Sequence, residues 1–306
     1  MTTQNIMGMV KKNKLVKPYL KWAGGKRQLL SELKFYSPSG YKTYYEPFVG
    51  AGAFFLDLQR DKVVINDMNS DLILTFRVIK DNADALIDEL KKYETKNNSE
   101  DFYKIRRMDR DSSTYNKMSD VSKAARMIYL NKTCYNGLYR VNSQGFFNTP
   151  FGKYKNPAIC DENTIKAVSS YLNDASSLKI MNGDFEDCLV DAEKNDFVYF
   201  DPPYHSVFTG YQSEGFDEKE QKRLFDIFKE LSNNNVKCML SNSSTDFIKD
   251  LYKDYHIHIV KANRAINSDK SGRGCVDEVI ITNYEYETAN SDVLADDLTD
   301  EDLKDV

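Results

Sequence analysis

The sequence is poor in the residues that staple a fold together or anchor it to a membrane. Its five cysteines (Cys134, Cys160, Cys188, Cys238, Cys275) are odd in number and widely scattered, with no C-x-x-C pair. That argues against a disulfide framework or a zinc cluster and for free thiols in a reducing compartment. Histidine occurs three times. Nothing around His205 is spaced as a metal-ligand set, and His256 and His258 alternate along a strand pattern, so all three are read as structural and no metal is expected. No apolar stretch approaches the ~20 residues needed to cross a bilayer. Met1 to Leu20 contains no continuous apolar h-region, so a cytoplasmic location without a membrane partner is expected. Internal repeats and low-complexity linkers are also absent.

Hydrophobic residues at 41% and charged residues at 29% of 306 are near the averages of soluble globular chains, which excludes wholesale disorder. The length suits two parts or one enlarged α/β domain. A net charge of −5 looks wrong for a protein that holds a polyanion, but eight acids and one lysine fall between Glu287 and Val306. The remaining 41 bases slightly outnumber the remaining 39 acids. Residues 287–306 are therefore expected to be an acidic, disordered tail. Lys11, Lys12, Lys14, Lys17, Lys21, Lys26 and Arg27 make the other end basic.

Three textures follow one another along the chain. Residues 42–69 read as strand, glycine turn, helix start and strand (YKTYYEPF, GAGAFFLDL, KVVIND). Residues 70–157 change to helical spacing in DLILTFRVIKDNADALIDELKKY and DVSKAARMIYLNK, followed by a Gly/Asn/Phe-rich loop or hairpin. From Leu178 the α/β rhythm returns with LKIMNGDF, DFVYFDPPY, the amphipathic EKEQKRLFDIFKELS, VKCMLSNS, HIHIV and VDEVIITNY. The expected organisation is a discontinuous α/β domain (1–69 and 158–286) interrupted by a mainly helical module (70–157).

Gly50 and Gly52 lie between a strand and a helix, where a missing Cβ lets backbone approach a ligand and helix N–H groups face it. Asp67 ends the next strand, well placed for ribose hydroxyls. A dinucleotide fingerprint would need a third small residue and an acid about 20 positions on. Phe55 occupies the third position and Asp67 comes only 15 residues after Gly52, so this is not an NAD turn. Lys21-Trp-Ala-Gly-Gly-Lys-Arg27 contains Gly-Lys, but Arg27 replaces Ser/Thr, Leu20 replaces the first glycine and no apolar strand precedes it. Nucleotide hydrolysis at a P-loop is excluded. What remains is the single tryptophan, Trp22, suited to a flat or sulfonium-bearing ligand, beside lysines that can pair a carboxylate.

Asp201-Pro-Pro-Tyr204 is the sharpest signal. It follows the apolar run Phe197–Phe200, so it sits at the carboxyl end of a strand, where open α/β sheets bind ligands. Successive prolines restrict the backbone and preorganise a carboxylate and an aromatic ring. Transfer to an exocyclic amine on a purine needs such a turn: Asp201 and the Pro202 carbonyl accept the N–H hydrogens, Pro203 stiffens the loop, and Tyr204 stacks on an extruded base.

KWAGGK, EPFVGAG, GDF (Gly183 to Phe185) and DPPY, in that order, resemble the alpha group of DNA adenine-N6 methyltransferases, the Dam-like D12 class, over residues 15 to 286. The resemblance implies a Rossmann-like methyltransferase sheet with S-adenosylmethionine as methyl donor. It implicates Trp22, Lys26, Glu46, Phe48, Gly50 and Gly52 in holding the cofactor, with Asp67 at the ribose, Asp184 and Phe185 at the adenine and Asp201 near the methyl group. It also makes 70–157 the recognition domain for double-stranded DNA. Tyr135-Asn-Gly-Leu-Tyr-Arg140 and Phe147–Lys155 are similar to the segment with which GATC-methylating members read DNA. Arg140 suits guanine, Leu138 and Pro150 a thymine methyl, and Tyr135 and Asn136 the gap left by a flipped base. Lys21, Lys153, Tyr154 and Lys155 suit the backbone, and Arg273 within Ser271–Gly274 suits a phosphate. A monomer is expected, and a cognate restriction endonuclease is a partner the resemblance allows. RNA adenine, protein glutamine, or binding without turnover remain the alternative functions.

Overall fold

Short runs rich in Val, Ile, Tyr and Phe, buried on both faces, build a sheet of the kind that helices cover on both sides. In the computed structural model, residues 12–22, 24–205, 216–263 and 275–286 are described. Arg273 and residues 287–306 lie outside them. The strands are β1 (Tyr44–Glu46), β2 (Lys62–Asp67), β3 (Ser177–Asn182), β4 (Phe197–Phe200), β5 (Lys237–Ser243), β6 (His256–Asn263) and β7 (Cys275–Thr282). They form one sheet in the order β3-β2-β1-β4-β5-β7-β6. The first five are parallel, and β7 runs antiparallel to both β5 and β6. This is the Rossmann-like α/β sheet anticipated from the sequence. Chain order reverses between β1 and β4, the topological switch point where a crevice opens beyond the strand ends. The glycine turn follows β1 and the Asp-Pro-Pro-Tyr turn follows β4, so both motifs meet at that crevice.

Alternate side chains of each strand enter opposite cores. Tyr44, Val63, Ile65, Phe197, Tyr199 and Met239 join one apolar cluster, while Tyr45, Val64, Val198, Phe200, Cys238 and Leu240 join the other. The helices are α1 (Leu30–Tyr36), α2 (Ala53–Leu58), α3 (Ser70–Tyr93), α4 (Ser99–Arg106), α5 (Ser112–Tyr115), α6 (Asp120–Thr133), α7 (Glu162–Asp174), α8 (Glu218–Asn233) and α9 (Asp246–Leu251). α8 starts where the Asp217 side chain accepts the Lys219 and Glu220 N–H groups, a side-chain cap for otherwise orphaned donors. It buries Leu224, Phe228 and Leu231 at helical spacing, each fully buried side chain contributing about 1.5–3 kcal/mol.

The long helix expected after Asn69 forms, capped by Asn69 accepting from the Leu72 N–H, but it is broken at Asn82 (φ −143°, ψ 39°). The polar stretch Lys80–Asp84 has no buried residue to hold the ladder straight there, and asparagine readily offers the backbone other hydrogen bonds. α4 and α5 had no clear periodic signature. α3 carries the segment 70–157 into the sheet's own core: Leu72, Phe76 and Ile79 share one cluster with Tyr44, Phe54 and, from α6, Tyr129 and Leu130. No helix among the described residues is long and apolar enough to cross a membrane.

Candidate active site

The glycine turn has the backbone that its sequence requires. Gly50 (φ +51°) and Gly52 (φ +74°) are both left-handed, and a Cβ on Gly50 would lie 3.1 Å from Trp22 Cδ1, so a side chain there is disfavoured by both strain and space. The Gly50 N–H donates to Asp67 Oδ2 (3.0 Å) and the Asn69 N–H to Asp67 Oδ1 (2.9 Å). Burial pushes the Asp67 carboxyl up, against the pull of these two donors. Asp67 thus fastens the end of β2 to the glycine turn. The Trp22 indole stacks on Tyr139 (centroids 5.5 Å, 28°), which ties the N-terminal motif to the segment after α6.

Beside this turn three phenylalanines gather. Phe48 lies 5.0 Å from Phe185 and 5.6 Å from Phe216, centroid to centroid, and the Arg223 guanidinium sits 4.2 Å above Phe185. Arg223 also grips Asp184 with both terminal nitrogens (3.1 and 2.6 Å). That pairing holds the Asp184 carboxyl below the usual range. Phe48 is tilted 30° to Phe185 and stands edge-on to Phe216, so the three make an apolar wall, and Arg223 ties Asp184, Glu186 and Glu220 together beside it.

At the centre of the crevice Lys26 Nζ lies 2.8 Å from Asp201 Oδ1, donates to the Gly24 carbonyl (2.7 Å) and stands 4.6 Å over the Tyr204 ring. Ser241 Oγ donates to the same Asp201 oxygen (2.9 Å). Burial raises the Asp201 carboxyl while Lys26, and after it Ser241, pull it back. Tyr204 donates its phenol hydrogen to Glu278 Oε2 (2.8 Å), which fixes the ring by its far end. Glu46, buried at the end of β1, accepts the Tyr44 phenol (2.6 Å), and burial pushes its carboxyl well up. The Pro203 carbonyl accepts from Gln221 Nε2 (2.9 Å). Pro202 is buried and Pro203 exposed. His205 is a loop residue, stacked on Phe247 and bonded to Thr245.

The crevice thus holds a lysine-paired, largely buried carboxylate and an anchored tyrosine joined by a two-proline turn, with the glycine turn at the end of the neighbouring strand. Residues 22–266 match the model of the D12 class N6 adenine-specific DNA methyltransferases. The chain belongs to that family. It is 46% identical over 284 residues to the type II methyltransferase M1.LlaDCHI of Lactococcus lactis subsp. cremoris, a match covering 91% of this chain and 99% of the relative. With the type II methyltransferase M.MjaIII of Methanocaldococcus jannaschii it shares 44% identity over 88% of this chain and 99% of that one. The DNA adenine methylase of Salmonella typhi is 34% identical over 89% of this chain and 95% of its own length.

In this methyltransferase the segment after α6 folds back on the N-terminal motif. Asn131 accepts the Lys21 N–H (2.9 Å) and donates to the carbonyls of Lys21 and Gly137 (2.7 and 2.9 Å). Lys21 Nζ lies 4.7 Å over the Tyr154 ring, and the Tyr154 phenol oxygen accepts from the Asn136 N–H (3.0 Å). Asn136 is left-handed (φ +54°). A bridge pairs Val141 with Phe147, and the intervening turn is closed by Asn142, whose side chain accepts from the Gln144 and Phe146 N–H groups. The loop is therefore a hairpin. Arg140 is exposed and gives Nε to Asn148 Oδ1 (2.7 Å); its terminal nitrogens take no partner among the described residues. Tyr135, Pro150 and Lys155 are exposed, and Leu138 is half-buried. Lys132, at the end of α6, is pushed down to about 8, chiefly by burial, with Lys21, Arg27 and Lys17 adding repulsion against the pull of Asp161. A basic face thus adjoins the hairpin.

Sequence reasoning missed Phe216, Arg223, Ser241 and Glu278. Ser241-Asn242-Ser243 did leave a signal: three polar residues closing an apolar strand that is buried almost throughout.

Proposed function

We propose that this methyltransferase takes its methyl group from S-adenosylmethionine and delivers it to adenine N6 in duplex DNA, within GATC, after the base has left the stack. The observation that carries the proposal is the Asp201 carboxylate. Lys26 and Ser241 both occupy Oδ1, and Oδ2 takes no donor among the described residues. That oxygen, with the Pro202 carbonyl, is suited to accept the two hydrogens of an exocyclic amine, which turns the nitrogen lone pair toward the cofactor side of the crevice. Tyr204, fixed through Glu278 and facing Lys26, supplies the ring on which an extruded purine stacks. Flipping is required because N6 of a paired, stacked adenine cannot meet these groups.

The residues fit the cofactor. Gly50 lets the Trp22 ring approach the turn to where a Cβ would lie 3.1 Å from it, which supports a closely packed cofactor turn, and Asp67 is assigned to the ribose hydroxyls. Phe48, Phe185 and Phe216 form the wall for the adenine. When bound, S-adenosylmethionine supplies an electrophilic sulfonium methyl; the protein aligns the amine for in-line attack and excludes water, and alignment accounts for much of the barrier reduction.

Segment 70–157 is the proposed target-recognition module. Arg140, at the hairpin base with its terminal nitrogens unengaged, is assigned to guanine O6 and N7, and Leu138 and Pro150 to thymine methyls. Tyr135 and Asn136 flank the flipped base. Lys21, Tyr154, Lys155 and Lys132 lie along the backbone, where cations position without specifying. Arg140→Ala should cost about 1–3 kcal/mol of discrimination at one base pair, measured as relative kcat/KM on duplexes changed singly within GATC; unchanged selectivity rejects the assignment. Two relatives carry type II methyltransferase names, which favours a protective role beside a restriction endonuclease of matching specificity. GATC itself is tested by methylating a plasmid and digesting it with methylation-sensitive nucleases. Blocked cleavage at GATC is expected, and methyl uptake without protection there overturns that target.

A further inference from the structure

The end of β5 lies directly under the Asp-Pro-Pro-Tyr turn, and each residue of Ser241-Asn242-Ser243 holds part of it. Ser241 Oγ donates to Asp201 Oδ1 (2.9 Å). Asn242 Oδ1 accepts the His205 N–H (3.0 Å), and its amide nitrogen donates to Gln221 Oε1 (3.1 Å), whose own amide reaches the Pro203 carbonyl. Ser243 Oγ donates to the His205 carbonyl (2.5 Å). All three are buried. Ser241 also lies 2.9 Å from the phenol oxygen of Tyr199, itself fully buried on β4. A serine hydroxyl has one hydrogen. Since Ser241 gives it to the carboxylate, Tyr199 must be the donor in the second bond. The chain therefore runs one way, Tyr199 to Ser241 to Asp201, and ends on the oxygen that Lys26 already occupies.

We infer that Ser241, oriented by Tyr199, is a positioning residue for methyl transfer: it pins Asp201 Oδ1 so that Oδ2 is presented to the target amine. The inference rests on Asp201 being the amine acceptor. A bond from a neutral hydroxyl favours the ionised carboxylate and locks its rotation. Other charged or titratable groups facing Asp201 are Lys26 before α1, Glu46 at the end of β1, Tyr199 on β4, Tyr204 in the turn and Glu278 on β7. Removing the Ser241 hydroxyl leaves Lys26, Glu46 and Glu278 in place but takes a hydrogen-bond partner from Tyr199 and from Tyr204, which is why Tyr199→Phe is measured beside it.

The test is steady-state and single-turnover kinetics of Ser241→Ala and Tyr199→Phe on duplex DNA across pH, with S-adenosylmethionine binding and thermal unfolding followed in parallel. Ser241→Ala should lower kcat by about 10- to 100-fold, the weight of one hydrogen bond to a charged group. KM for DNA and affinity for S-adenosylmethionine should hold, and the acid limb of the kcat profile should move to higher pH. Tyr199→Phe should move both quantities the same way by less. In the Asp201→Asn background, Ser241→Ala should add little further loss. A fall in kcat with the acid limb unmoved, or a full additional loss in the Asp201→Asn background, overturns the inference. If Asp201→Asn itself retains normal turnover, the acceptor role fails first. An inactive Asp201→Asn beside a normal Ser241→Ala rejects Ser241 alone.

Discussion

Replacing Asp201 by alanine should lower the rate of methyl transfer by about 10²- to 10³-fold, the scale seen when one preorganised group facing developing charge is removed. Binding of S-adenosylmethionine should survive, because the Gly50/Gly52 turn, Asp67 and the phenylalanine wall are untouched. Single-turnover transfer under saturating cofactor separates the two quantities. Asp201 and Lys26 form a pair at 2.8 Å in which Lys26 is buried and Asp201 partly so, and breaking one side of a fully buried pair costs about 3–5 kcal/mol where the survivor cannot relax. Lys26 retains the Gly24 carbonyl and the Tyr204 ring, so the loss in stability should be smaller than that. Thermal unfolding measures it. Near-normal turnover in a folded Asp201→Ala enzyme would remove the carboxylate from the mechanism.

The second large effect is expected at Lys26. Burial already raises the Asp201 carboxyl, and Lys26 provides the strongest opposing pull. In Lys26→Ala that pull is gone, so the carboxyl rises further and a smaller fraction is ionised at neutral pH. Only the ionised form accepts both the Lys26 and Ser241 hydrogens and an amine hydrogen. Transfer at neutral pH should therefore fall by about 10- to 100-fold, with the acid limb of the kcat profile displaced to higher pH and partial recovery on the alkaline side. The displacement should exceed that of Ser241→Ala, since a full charge is lost rather than a neutral donor. An unmoved acid limb would mean that Lys26 acts only on the cofactor or on Tyr204.

Much of this arrangement was legible in the residues themselves. The strands on either side of the switch point, the left-handed glycines and the proline turn are local features, dictated by periodicity and backbone chemistry over a few residues. The hairpin after α6 was open between loop and hairpin because its pairing depends on Asn142 closing the turn with its side chain. The kink at Asn82 and the helix Ser99–Arg106 were not legible, since packing decides both. The charge logic of the site lay furthest out of reach. That Lys26 meets Asp201, that Arg223 grips Asp184 and that Ser241 and Glu278 hold the Asp-Pro-Pro-Tyr turn depends on contacts across 39 to 175 residues of sequence, set by the sheet order. The stacking of one face of Trp22 on Tyr139, a partner 117 positions away, was equally out of reach.

The central claim is tested most directly by identifying the methylated nucleoside. Duplex DNA is incubated with methyl-labelled S-adenosylmethionine and the enzyme, digested to nucleosides and separated, with Asp201→Ala as control. All label should run as N6-methyldeoxyadenosine, and the control should incorporate it about 10²- to 10³-fold more slowly. Label on cytosine N4, or label taken up by RNA or protein while duplex DNA stays unlabelled, would contradict the account.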